Sequence, residues 1–129
     1  MTTKANILVV DDEVQISEMI SAALLAHGYA VSLAYDGAQG VKRAWAEKFD
    51  LIIMDIQMPG MDGFQAVAAI RERESAGGSR VPILALTAHA INGYRERCLT
   101  AGMDGYLSKP VRPDELYAAI DRLTTVESP

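Results

Sequence analysis

Asp11 and Asp12 follow the apolar run Ile7 to Val10, and Asp55 follows Leu51 to Met54. Thr87 follows Pro82 to Leu86, and Lys109 follows Gly105 to Leu107. A carboxylate at the end of an apolar run needs a partner or a task, because an unpaired charge in apolar surroundings is costly. Three carboxylates brought together repel one another, which raises some of their pKa values unless a cation neutralises them. A hard divalent cation with oxygen ligands suits such a set, with Mg²⁺ as the first choice and Mn²⁺ as the alternative. Its expected ligands are Asp12, Asp55 and the backbone carbonyl of Gln57, with Asp11 bound directly or through water. A carboxylate can also attack phosphorus to form an acyl phosphate, and Asp55, in the middle of the sheet, is the best-placed nucleophile. The Thr87 hydroxyl and the backbone N–H of Ala88 can then donate to phosphoryl oxygens, while Lys109 supplies a positive charge opposite the metal.

Taken singly, each residue has a plainer reading. Asp12, Asp55 and Thr87 are good helix caps or turn residues, and Lys109 alone is a solvated loop lysine. Their joint placement at strand ends is what argues for a site. The sequence leaves the Lys109–Pro110 bond open as cis or trans. His27 and His89 have no spaced partner and read as structural or surface residues, Cys98 as a small packed side chain, and Asp62 as a turn residue only.

Five short apolar runs alternate with helical patterns. Strands are expected at Ile7–Val10, Ala30–Ala34, Leu51–Met54, Pro82–Leu86 and Gly105–Leu107. The third is apolar throughout, as a parallel strand covered on both faces should be. Helices are expected over Glu13–His27, with Gly28 at C′, and after an Asp36 N-cap, with Val41, Ala44 and Trp45 turned inward. Three more follow: Phe64–Glu74, Ala88–Ala101 (weakened by Gly93 and closed by Gly102), and one from Pro113 carrying Leu116, Ala119, Ile120 and Leu123. Ser75–Arg80 reads as a flexible connection.

A (βα)5 pattern with right-handed crossovers gives a parallel sheet with helices on both faces, an α/β three-layer sandwich. The flavodoxin-like strand order 2-1-3-4-5 is preferred over a Rossmann-type order. In such sheets ligands bind at the carboxyl ends of the strands, near the switch point between strands 1 and 3, where the residues named above converge.

The bulk numbers fit this picture. The 129 residues, half of them hydrophobic, make one domain, with a core at about 5–124 and residues 125–129 as a tail or linker stub. Twelve basic against seventeen acidic residues give a net charge of −5 without a basic cluster, which argues against direct contact with nucleic acid. A single cysteine excludes an internal disulfide and a CxxC metal site, so a reducing, cytoplasmic setting is expected. The N-terminal apolar run is too short for a signal or membrane segment, so no membrane contact is expected.

The blocks ILVVDDE, LIIMDIQMPGMDGF, PILALTA and AGMDGYLSKPV, in this order and spacing, resemble the receiver domains of two-component response regulators over about Ile7 to Leu123. The resemblance implies that Asp55 is the phosphoacceptor for a phosphohistidine of a histidine kinase or histidine phosphotransfer protein. It implies that Asp11 and Asp12 bind Mg²⁺, that Thr87 is the switch hydroxyl, and that Lys109 contacts the phosphoryl group. Tyr106 matches the aromatic switch residue, coupled to the surface of helix 4, strand 5 and helix 5. ALTAHA with GYRERCLTAGMDGYLSKPV, and the SAGGSR insertion, are similar to receivers of hybrid sensor histidine kinases. The domain is then stand-alone or a segment of such a kinase, and it is no enzyme by itself beyond its own phosphorylation and dephosphorylation. Two competing readings are an aspartyl-phosphate phosphatase or mutase, which wants a carboxylate where Gln57 stands, and a receiver-shaped binding module that works unphosphorylated.

Overall fold

The apolar runs become five parallel strands, each followed by a helix, in a computed structural model that describes residues 5–77, 80–88 and 94–124. In chain order the elements are β1 (Asn6–Val10), α1 (Val14–Ala26), β2 (Ala30–Ala34), α2 (Gly37–Ala46), β3 (Leu51–Asp55), α3 (Gly63–Ser75), β4 (Ile83–Thr87), α4 (Tyr94–Thr100), β5 (Gly105–Ser108) and α5 (Pro113–Thr124). The sheet order is β2-β1-β3-β4-β5, so the chain reverses direction across the sheet between β1 and β3, as expected for the flavodoxin-like arrangement.

Period-two alternation along the strands builds two cores. Ile7, Val9, Leu51, Ile53, Leu84 and Leu86 pack against Ile20 and Leu24 of α1 and Leu116, Ala119 and Ile120 of α5. Leu8, Val10, Ile52, Met54, Ile83 and Ala85 pack against Val41 of α2, Ala66, Val67 and Ile70 of α3, and Cys98 of α4. Because both faces are covered, β3 and β4 are buried at every position, including their polar last residues Asp55 and Thr87. The register pairs Asp55 with Leu86 and Thr87 with Ser108, so the functional ends of neighbouring strands lie at nearly one level.

Most expected boundaries hold to within a residue or two. Asp36 caps α2 by accepting from the Gln39 N–H at 2.7 Å, and Gly28 and Gly102 take positive φ beyond α1 and α4. Three expectations need correction or restriction. Trp45 is not turned inward: it is 43% exposed, with the Arg73 guanidinium 5.0 Å from its ring centroid. The buried side of α2 is made by Gly37, Gly40 and Val41, and the indole, in the last turn at the margin of that stripe, stays at the surface. Asp62 is more than a turn residue: it is the N-cap of α3 in a reciprocal capping box with Gln65. For the fourth helix only Tyr94–Thr100 is described; His89 and Gly93 lie outside the described residues, as do Gly78 and Ser79 of the flexible connection and residues 125–129.

Candidate functional site

β1 and β3 deliver the acids. Asp11 leaves β1 fully buried, its N–H donating to the Ala34 carbonyl at 3.1 Å. Its Oδ1 accepts from the Glu13 N–H at 2.8 Å, and its own carbonyl accepts from the buried Ser17 Oγ at 3.2 Å. Asp55, 1% exposed, ends β3, with Oδ1 accepting from the Gln57 N–H at 3.2 Å. Asp12 is half-buried, and Asp11, Asp12 and Asp55 each offer a carboxylate oxygen within 4.8 Å of the others.

β4 and β5 deliver the complementary side. Thr87 is fully buried, and its carbonyl accepts from the Lys109 N–H at 2.7 Å, which ties the lysine to the end of β4. The Lys109–Pro110 bond is cis. Lys109 Nζ lies 3.3 Å from Asp11 Oδ2, 3.4 Å from Asp55 Oδ2 and 2.9 Å from Glu13 Oε1. Ala88 is exposed beyond the end of β4, and Gln57 is exposed beyond β3. Tyr106, partly buried, packs against the core on the α2–α3 side, in register with Ala85.

The loop between β3 and α3 owes its path to glycine. A Cβ on Gly63 would stand 2.6 Å from the Asp55 carbonyl oxygen and 2.7 Å from Ile56 Cα. Only glycine lets the start of α3 lie against the end of β3, while Gly60 turns the loop at φ +75°.

The electrostatics follow from this crowding. Burial and the neighbouring Asp11 push the Asp55 carboxyl up to about 7, against the opposing pull of Lys109 and the Gln57 N–H. Burial alone would lower the Lys109 ammonium, but its hydrogen bond to Glu13 and the charges of Asp11 and Asp55 outweigh it, and the net shift is upward. Asp11 Oδ2 and Asp55 Oδ2 are buried and have no hydrogen-bond partner among the described residues. Two buried carboxylate oxygens that share one ammonium at 3.3 and 3.4 Å and accept no hydrogen bond fit a hard divalent cation, which would satisfy both.

The structure thus brings together Asp11, Asp12, Asp55, Thr87 and Lys109 at one end of the sheet. Two participants were not anticipated. Glu13 pairs with Lys109 across the cleft, and its only signal in the sequence is that it directly follows the acid pair. Ser17 has none beyond its place one turn before Ile20 on the buried side of α1.

A doubly wound α/β sheet with an acidic, cation-ready cleft and an opposing lysine at its switch point defines a phosphoryl-handling class of protein. The chain belongs to the response regulator receiver domain family, whose model matches residues 7–121. It is 38% identical over 120 residues to hybrid signal transduction histidine kinase I of Dictyostelium discoideum, covering 89% of this chain and 7% of that protein. The receiver domain of the sensor histidine kinase PA1611 from Pseudomonas aeruginosa, solved with magnesium in its active-site cleft, is similar at TM-score 0.84 and 43% identity, covering 93% of this chain and 97% of that one. A chain of the yeast complex between the phosphotransfer protein Ypd1 and the receiver domain of Ssk1 matches at TM-score 0.90 and 30% identity, covering 96% and 91%. The chain is a two-component receiver domain of the kind found in hybrid histidine kinases, and it spans a small fraction of such kinases.

Proposed function

We propose that Asp55 accepts a phosphoryl group from a phosphohistidine of a histidine kinase or histidine phosphotransfer protein. The observation that carries this reading is the buried Asp55 carboxylate, with one oxygen unsatisfied, flanked by two further acids and by Lys109. An ionised Asp55 oxygen attacks phosphorus, the phosphorus–nitrogen bond breaks, and the electron pair leaves with the imidazole, which keeps or takes a proton. The Lys109 ammonium holds Asp55 towards the ionised form and afterwards meets a phosphoryl oxygen. The Thr87 hydroxyl and the Ala88 N–H donate to the others. Asp11, Asp12, Asp55 and the Gln57 carbonyl are the groups that would hold Mg²⁺, or Mn²⁺ in its place. When bound, the ion supplies positive charge that keeps the carboxylates ionised and balances the phosphoryl oxygens.

The phosphoryl group brings about −1.5 to −2 charge and three acceptor oxygens. These bias the domain only as far as Thr87 and Lys109 bind them better in one state than in another. Thr87 and Tyr106 sit on adjacent strands, so a shift of Thr87 towards the phosphoryl group frees space that Tyr106 takes, altering the surface of α4, β5 and α5. No described helix is long and apolar enough to cross a membrane, and the buried, unpaired Cys98 suits a reducing, cytoplasmic compartment.

Incubation with Mg²⁺ and acetyl phosphate tests the proposal by intact-mass measurement. The wild-type protein gains one base-labile phosphoryl group, and Asp55→Asn gains none. A persistent adduct on Asp55→Asn, or none on the wild type, sinks it.

A further inference from the structure

Glu13 stands at the N-cap of α1, yet its side chain makes no capping hydrogen bond. The local backbone is served by Asp11, whose Oδ1 accepts from the Glu13 N–H. The Glu13 carboxylate reaches across the cleft instead and accepts from Lys109 Nζ at 2.9 Å. That is closer than the approaches of the same ammonium to Asp11 at 3.3 Å and Asp55 at 3.4 Å. The nearest partner of the 14% exposed Lys109 side chain is therefore a 57% exposed acid at the rim, while the two buried acids behind it wait at longer range.

We propose that Glu13 is a positioning residue that holds Lys109 at the rim in the resting state and competes for it with a phosphoryl group on Asp55. The inference rests on the reading of Asp55 as the phosphoacceptor. The ammonium has three donors and already faces three carboxylates, so a new anion on Asp55 draws a donor away from one of them, and the solvated rim acid is the partner that gives it up most easily. An ion pair with an exposed, solvated member is a weak hold, which makes it releasable. Glu13 thereby sets how readily Lys109 is available to the phosphorylated state, without touching the reacting atoms.

Beryllofluoride, an acyl-phosphate mimic, tests this by calorimetric titration at Mg²⁺ concentrations that a separate titration shows to saturate each variant. Glu13→Gln, which frees the lysine, binds the mimic more tightly by about two- to fivefold, the range set by an exposed ion pair. Glu13→Asp, which keeps the charge but is one methylene shorter, shows the same direction of change. The proposal is overturned if Glu13→Gln gains nothing, or if Glu13→Asp matches the wild type while Glu13→Gln gains (general charge repulsion, not a contact). Failure of the wild-type protein to bind the mimic would instead count against the role of Asp55 itself.

Discussion

At the scale of the residue, the central tension is a carboxylate made uncomfortable by its fold. Asp55 has a folded-state pKa raised to about 7, because burial and Asp11 disfavour its charge. The folded protein therefore binds this proton more tightly than the unfolded chain does. The stability this contributes is full below about pH 4 and declines as pH rises towards 7. In metal-free protein, Asp55→Asn escapes that loss. At pH 8 it is more stable than the wild type by roughly 1–3 kcal/mol, and at pH 4 the advantage disappears. Thermal unfolding at the two pH values in a chelator checks this, and equal differences at both would contradict the burial argument. Asp11, Asp55 and Thr87 were legible because each breaks an apolar run at a strand end, and Asp12 and Lys109 because they stand directly beyond one. Glu13 was not, since a glutamate opening a helix looks like a solvated N-terminal residue, and only the fold shows a lysine 96 positions away beside it.

At the scale of the element, the site depends on how closely α3 starts against β3. Gly63→Ala places a methyl group against the Asp55 carbonyl and Ile56 Cα, both backbone atoms that cannot swing aside. It destabilises the protein by about 1–3 kcal/mol, as overpacking typically does, and displaces Asp55. Denaturant unfolding reads the first effect, and a weakened Mg²⁺ affinity in the folded fraction reads the second. Unchanged values for both would mean the loop has slack that the geometry denies. Strands were easier to place than helix ends: β3 and β4 announce themselves as uninterrupted apolar runs. Asp62 and Gln65 show why loops are harder, because an Asp within MPGMDG serves a turn and a capping box equally well until the helix start is known. Trp45 misled for a related reason: helical spacing from Val41 put it on the apolar stripe, but the stripe runs out in the last turn of α2.

At the scale of the molecule, two cores pin one sheet between two helical layers, and the polar residues are left to the carboxyl edge. Alternation with right-handed crossovers led to a parallel doubly wound sheet and left a Rossmann-type order as the alternative; the order β2-β1-β3-β4-β5 brings four distant strand ends to one cleft. The account stands or falls on which oxygen receives phosphorus. The decisive measurement starts from a phosphorylated histidine phosphotransfer domain, incubates it with this protein and Mg²⁺, reduces the product with borohydride, and sequences the peptides by mass. An acyl phosphate at Asp55 is converted to homoserine at position 55, and the account predicts homoserine there alone. Homoserine at position 11 or 12, or an unmodified peptide after the donor has lost its phosphoryl group, would contradict it.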